Sequence, residues 1–191
     1  MSDLILSVEE ASVMIAGKPF FEDMTFHIHS GRKIALVGKN GAGKTTLMNM
    51  ITGHRELDDG KRFVLAGTTT GYMQQNIEPK AGQTVRDLVF EGLPDTLEQW
   101  DIDYRIESII APLHLNINDD LTNLSGGQLR RACLAKALVE EPDILLLDEP
   151  TNHMDLELIE WLENYIAGYR GAVLIVSHDR TFLANTTDRV F

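Results

Sequence analysis

The chain has 191 residues, enough for one domain with a substantial core, and its 43% hydrophobic and 24% charged content is that of an ordinary globular protein. A net charge of −12 argues against the domain as a whole neutralising nucleic-acid phosphates. The single cysteine, Cys133, excludes an intrachain disulfide and fits a reducing compartment. The longest apolar runs, residues 144–147 and 172–176, are too short to cross a bilayer, and the N-terminus shows no signal-peptide pattern.

Alternating residues over 4–13 and 21–28 predict two antiparallel strands. Residues 33–37 predict an apolar strand that runs straight into a glycine-rich loop, followed by a helix over 44–52 that Gly53 ends. Short strands are expected at 62–66 and 69–73, around Gly67. From residue 76 to 124 the pattern changes: Pro79, Gly82, Gly92, Pro94 and Pro112 separate short helical patterns at 84–90 and 104–110. This predicts a small helical subdomain inserted at approximately 76–127. A helix follows over 127–139, and Pro142 breaks the chain before a strand at 144–147. Asp155 is placed to cap a helix with apolar Leu156, Ile159, Leu162 and Ile166, and 172–176 is a second buried strand. The chain therefore belongs to the α/β class.

Gly38-Lys39-Asn40-Gly41-Ala42-Gly43-Lys44-Thr45 is a complete G-x-x-x-x-G-K-[ST] phosphate loop, set between a predicted strand and a predicted helix. Its glycines let backbone N–H groups turn toward phosphate oxygens, and the helix N-terminus adds a field that favours an anion. Lys44 is placed to reach the β- and γ-phosphates, and Thr46 stands beside the loop in the same helix turn. The Thr45 hydroxyl is the expected Mg²⁺ ligand. Asp148 and Glu149 end the apolar strand at 144–147, at the mouth of the sheet where α/β folds bind ligands. Asp148 suits the metal-holding role, and Glu149 is placed to orient or deprotonate an attacking water. A turn cap before Pro150 is the alternative for either carboxylate.

Six elements stand in the order and spacing of ATP-binding cassette (ABC) ATPases: the phosphate loop, Gln75, Leu124-Ser125-Gly126-Gly127-Gln128, Asp148-Glu149, Asp155 and His178. The chain resembles that family over nearly its whole length. The resemblance implies a P-loop cassette with a mainly parallel sheet, an antiparallel β layer and the inserted helical subdomain. It implies ATP and Mg²⁺ as cofactors. It gives Gln75, or the adjacent Gln74, to Mg²⁺ or the lytic water, and makes His178 a catalytic partner of Glu149. Ser125, Gly126, Gly127 and Gln128 would form a second anion-binding helix start, directed with Asp155 at ATP held by an opposite cassette. Turnover then requires that second cassette, in the same polypeptide or in a homodimer.

Glu149-Pro-Thr-Asn-His153-Met-Asp155 and Ser177-His-Asp-Arg180 resemble the ABC-F subfamily, most of all the first cassette of Uup-like members. Only about fifty residues lie between Gln75 and Ser125, so a long arm insertion is not expected there. The ABC-F resemblance implies a cytoplasmic, ribosome-associated ATPase without membrane insertion. A DNA partner and a transporter's ATP-binding subunit are the alternatives. It also implies that residues 1–191 are one excised N-terminal cassette, since the chain ends at Phe191 within an expected strand. Ile15 stands where the family carries a base-stacking aromatic, which leaves ATP and GTP both open, while Phe20 and Phe21 read as core. Cys133, Trp100 and Trp161 also read as packing residues. His27 and His29 read as a solvated strand face, and so do Glu157, Glu160 and Glu163 on one helix.

Overall fold

The computed structural model describes residues 3–15, 18–39, 42–73, 77–91, 93 and 98–190. Two sheets organise them. An antiparallel sheet has the order β2-β1-β4, with β1 (Leu4–Ile15), β2 (Lys18–His29) and β4 (Asp59–Val64). A parallel sheet has the order β5-β6-β7-β3-β8, from β3 (Lys33–Leu36), β5 (Thr70–Met73), β6 (Ile144–Asp148), β7 (Ala172–Val176) and β8 (Arg189–Val190).

Strands β6 and β7 are buried on both faces, which is why they read as unbroken apolar runs. Alternation along them divides the core in two. Leu145, Leu147, Val173 and Ile175 face a cluster built with the helices α2 (Val85–Phe90), α3 (Gln99–Ile110), α4 (Gly126–Leu138), α5 (Leu156–Gly168) and α6 (Arg180–Thr186). Ile144, Leu146, Ala172 and Leu174 face a second cluster, which holds Ile5, Leu6 and Val8 of β1. Leu47, Met48, Met50 and Ile51 of α1 (Lys44–Thr52) belong to that cluster too, so α1 is sandwiched between the two sheets. This is the mixed α/β architecture expected from the sequence. Among the described residues no helix is long and apolar enough to cross a membrane.

Several elements differ in detail. The strand expected at 62–66 runs Asp59–Val64 and pairs with β1, while β5 pairs with β6. Gly67, at φ +86°, turns the chain from one sheet to the other. The helical region has no core of its own: Leu88, Ile106 and Leu134 share one cluster with Met73 and Leu147. Its loop is tied to the start of α2 by Val85 N–H to Asp119 O at 3.0 Å and Leu121 N–H to Gln83 O at 2.9 Å. Thr84 and Asp87 close a reciprocal capping box at that helix start.

Candidate functional site

The C-terminal ends of β3, β6 and β7 converge on a cleft of about 470 Å³, lined by Phe20, Gly43, Lys44, Thr45, Thr46, Asp148, Glu149, Asn152, Val176 and His178. The parallel register β7–β3 and β6–β7 sets this meeting point, since it carries three strand ends to one edge. Seven of the predicted site residues, Gly43, Lys44, Thr45, Thr46, Asp148, Glu149 and His178, therefore line one cleft.

Gly43 caps α1 at φ +96°, a conformation costly for any residue with a Cβ. Space also demands glycine: an added Cβ would lie 2.4 Å from Phe21 Cζ and 2.5 Å from Phe20 Cε1. Gly38 and Ala42 flank the loop, where the Ala42 N–H donates to Lys39 O at 3.0 Å. The Lys44 ammonium folds back over the loop and donates to Gly38 O at 2.7 Å and Lys39 O at 3.2 Å. The first turn of α1 carries no acidic residue, so nothing there opposes an anion.

Asp148 is 1% exposed at the end of β6. Its Oδ2 accepts from Thr45 Oγ1 at 3.2 Å. A hydroxyl and a buried carboxylate, side by side in an open cleft, are the hard oxygen donors that Mg²⁺ takes, so the residues fit that ion. The Tyr72 phenol beneath is pushed up to about 12, first by burial and then by the Asp148 charge.

Glu149 is 7% exposed and sits at φ +52°, a sparsely populated conformation for a side-chain-bearing residue. Its N–H donates to Val176 O at 2.7 Å, which fixes the residue against β7. Its carboxylate is gripped twice by one residue: the His178 backbone N–H donates to Oε2 at 3.2 Å, and His178 Nε2 lies 3.3 Å from Oε1. His178 in turn is held by the start of α6, where Asp179 accepts from the Thr181 and Phe182 N–H groups.

Ser125, Gly126, Gly127 and Gln128 are not in this cleft. Ser125 caps α4 in a reciprocal box: the Gln128 N–H donates to Ser125 Oγ at 3.3 Å, and the Ser125 backbone N–H donates to Gln128 Oε1 at 3.0 Å. Gly126 and Gly127 border a separate cavity with Arg130, Cys133 and His153. Arg130 Nη1 is buried there with no hydrogen-bond partner among the described residues. Asp155 caps α5, its Oδ1 accepting from the Leu158 N–H at 2.9 Å. Asn40, Gly41 and Gln75 lie outside the described residues.

Three cleft residues, Phe20, Asn152 and Val176, escape the sequence reading of the site. Phe20 reads as core yet lines the cleft, while Phe21 packs against the inter-sheet cluster. Strand alternation carried that signal, because neighbouring residues of a strand face opposite sides. Asn152 enters the cleft through the tight turn after Glu149. Trp100 corrects another expectation: it is 73% exposed and not a packing residue. Trp161 does pack, its ring centroid 5.5 Å from that of Tyr165. Glu163 is not merely solvated, since it accepts from Asn185 Nδ2 of α6 at 2.9 Å. Cys133 is buried as expected, and burial raises its thiol to about 11, far from a reactive thiolate.

The family described as ABC transporter matches residues 21–152. Among curated relatives, ATP-binding protein Uup of Buchnera aphidicola is 40% identical over 190 residues, 97% of this chain and 32% of that protein. Energy-dependent translational throttle protein EttA of Mycobacterium tuberculosis is 34% identical over 224 residues, 98% of this chain and 40% of that protein. The chain thus spans about a third of the length of the curated relatives it matches. Among solved structures, an ATP binding subunit of an ABC transporter superposes with a TM-score of 0.82 at 22% identity, covering 96% of this chain and 83% of that one. A metal-chelate type ABC transporter in an inward-facing conformation gives 0.78 at 24% identity, covering 97% of this chain and 77% of that one.

Proposed function

This chain belongs to the ABC transporter family of ATP-binding cassettes, and we propose that it hydrolyses ATP to ADP and phosphate at an interface between two cassettes. The observation that carries the reading is the cluster of Thr45, Asp148, Glu149 and His178 beside Lys44 in one cleft. Lys44 trades its loop carbonyls for the β- and γ-phosphates, and the backbone around Gly43 holds the phosphate chain. Thr45 and Asp148 hold Mg²⁺, which when bound neutralises charge on the phosphate oxygens. Glu149 takes the proton of the attacking water, and His178 keeps that carboxylate aimed into the cleft. Phosphoryl transfer needs little more from a protein than such positioning and charge stabilisation.

The partner reading is an ABC-F ATPase acting on the ribosome, in which ATP binding closes two cassettes and hydrolysis releases the partner. It is supported by the identity to Uup and EttA, higher than that to the transporter structures, and by EttA being a translational throttle protein. The test is co-sedimentation of the Glu149→Gln protein with ribosomes, with and without ATP. ATP-dependent association supports the reading. Intact ATP binding without association moves it to DNA or a membrane partner.

A further inference from the structure

Helix α3 exposes a face that the cassette chemistry does not use. Ile102, Ile106 and Ile109 bury one side of the helix, while Trp100 and Tyr104, one turn apart on the other, are 73% and 70% exposed. Two large aromatic rings at that exposure on adjacent turns are unusual for a surface that meets only water. Asp103 and Glu107 continue the same face at the next helical positions, and both are exposed. Charges around it are predominantly negative. Arg105 is paired with Asp101 at 3.2 Å, and Arg86 is taken by Asp103. No described cation pairs with Glu98 or Glu107.

We infer that this face of α3 docks a cationic, arginine-bearing segment of a partner protein, with guanidinium groups over Trp100 and Tyr104 and beside Glu107. The charge pattern selects that occupant. A ring face attracts a cation through its quadrupole, and arginine is the cation that stacks best. RNA could stack its bases on the rings, but its phosphates would meet Glu107, which no described cation offsets. An anionic membrane surface meets the same repulsion. A second copy of this chain brings another net charge of −12. Arginine satisfies both halves of the surface at once. The inference is independent of nucleotide turnover, because the face shares no residue with the phosphate cleft.

The test is fluorescence anisotropy of a short labelled peptide of alternating arginine and glycine, titrated with the protein at physiological ionic strength. Saturable binding is expected, weakened about tenfold in Trp100→Ala/Tyr104→Ala. Glu157→Gln/Glu160→Gln, which removes exposed acids from α5, is expected to bind within about twofold of the unmodified protein. As a second readout, Trp100 emission in the otherwise unaltered Trp161→Phe protein should shift on adding peptide. Equal binding by the ring variant, or no shift of Trp100 emission, overturns the inference. So does ring-dependent binding of polyuridine or of phosphatidylserine vesicles in place of the peptide, or self-association that the ring variant loses.

Discussion

Glu149 and His178 meet through two contacts, His178 N–H to Oε2 at 3.2 Å and Nε2 beside Oε1 at 3.3 Å, so one residue fixes both carboxylate oxygens. The backbone contact does not depend on the imidazole. Glu149→Gln keeps the shape of the cleft but removes the proton acceptor. Turnover should fall by about 10²–10⁴-fold while ATP binding persists. Single-turnover hydrolysis at an unchanged rate would falsify the role of Glu149. His178→Ala should cost less, because the backbone N–H still holds Oε2.

Gly43 joins the phosphate loop to two aromatic rings. In Gly43→Ala, the φ of +96° alone costs about 1–2 kcal/mol, and the methyl must displace Phe20 and Phe21. Lowered thermal stability and weaker nucleotide binding are both expected. Phe20 and Phe21 both crowd the methyl, so both rings must shift. An unchanged melting temperature together with an unchanged nucleotide affinity would show that the loop takes the methyl without cost.

Much of this site is legible in the sequence because its geometry is local. The phosphate loop is one contiguous motif, and Asp148 and Glu149 terminate a strand whose apolar run is unmistakable. What is not legible depends on chain segments far apart. Thr45 and Asp148 are 103 positions apart and meet only through the order of the parallel sheet. Helix α6 escapes notice because its seven residues bury only Phe182, Leu183 and Thr186, too few for a periodic signal. Trp100 misleads because residue type alone does not say which side of α3 faces the core. Lys44→Ala, the simplest prediction from the motif, should weaken ATP binding. An unchanged affinity by titration would mean that the backbone alone holds the phosphates.

Gly71 lies in β5 under α4, where an added Cβ would come within 2.5 Å of Ala137 O and 2.6 Å of Pro142 Cγ. Neither neighbour is the end of a flexible side chain. Gly71→Ala should therefore destabilise by about 1–3 kcal/mol through overpacking, without touching the cleft. Chemical denaturation measures it, and an unchanged midpoint would contradict the packing.

Glu91 and Lys136 tie the end of α2 to α4 at 2.7 Å. The hydrogen bond from Lys136 holds the Glu91 carboxyl below its ordinary range, against the opposing effect of burial. A depressed carboxyl stabilises the fold above its unfolded value, and that contribution disappears as pH falls through the lower folded value. With the Lys136 and Glu91 side chains 37% and 45% exposed, solvent screening limits the pair to under about 1 kcal/mol. Lys136→Met should lower stability slightly at neutral pH and flatten its decline in acid. An equal acid slope in both proteins, measured by urea unfolding, would remove Glu91 from the account.

The phosphate-loop cleft and the start of α4 lie apart. The cleft holding Lys44 and the cavity bordered by Gly126 and Gly127 share no lining residue. If the second site serves a neighbouring cassette, specific activity must rise with protein concentration. Two defective chains should also complement each other. Lys44→Ala lacks the phosphate contact but keeps its α4 terminus. Ser125→Asp keeps a good helix cap yet sets a negative charge where phosphate must approach. Each should be nearly inactive alone. Mixed, they can form one intact composite site from the Lys44 of one chain and the Ser125 of the other, and activity should return. If the mixture stays as inactive as its parts, while each variant remains folded, each chain acts alone.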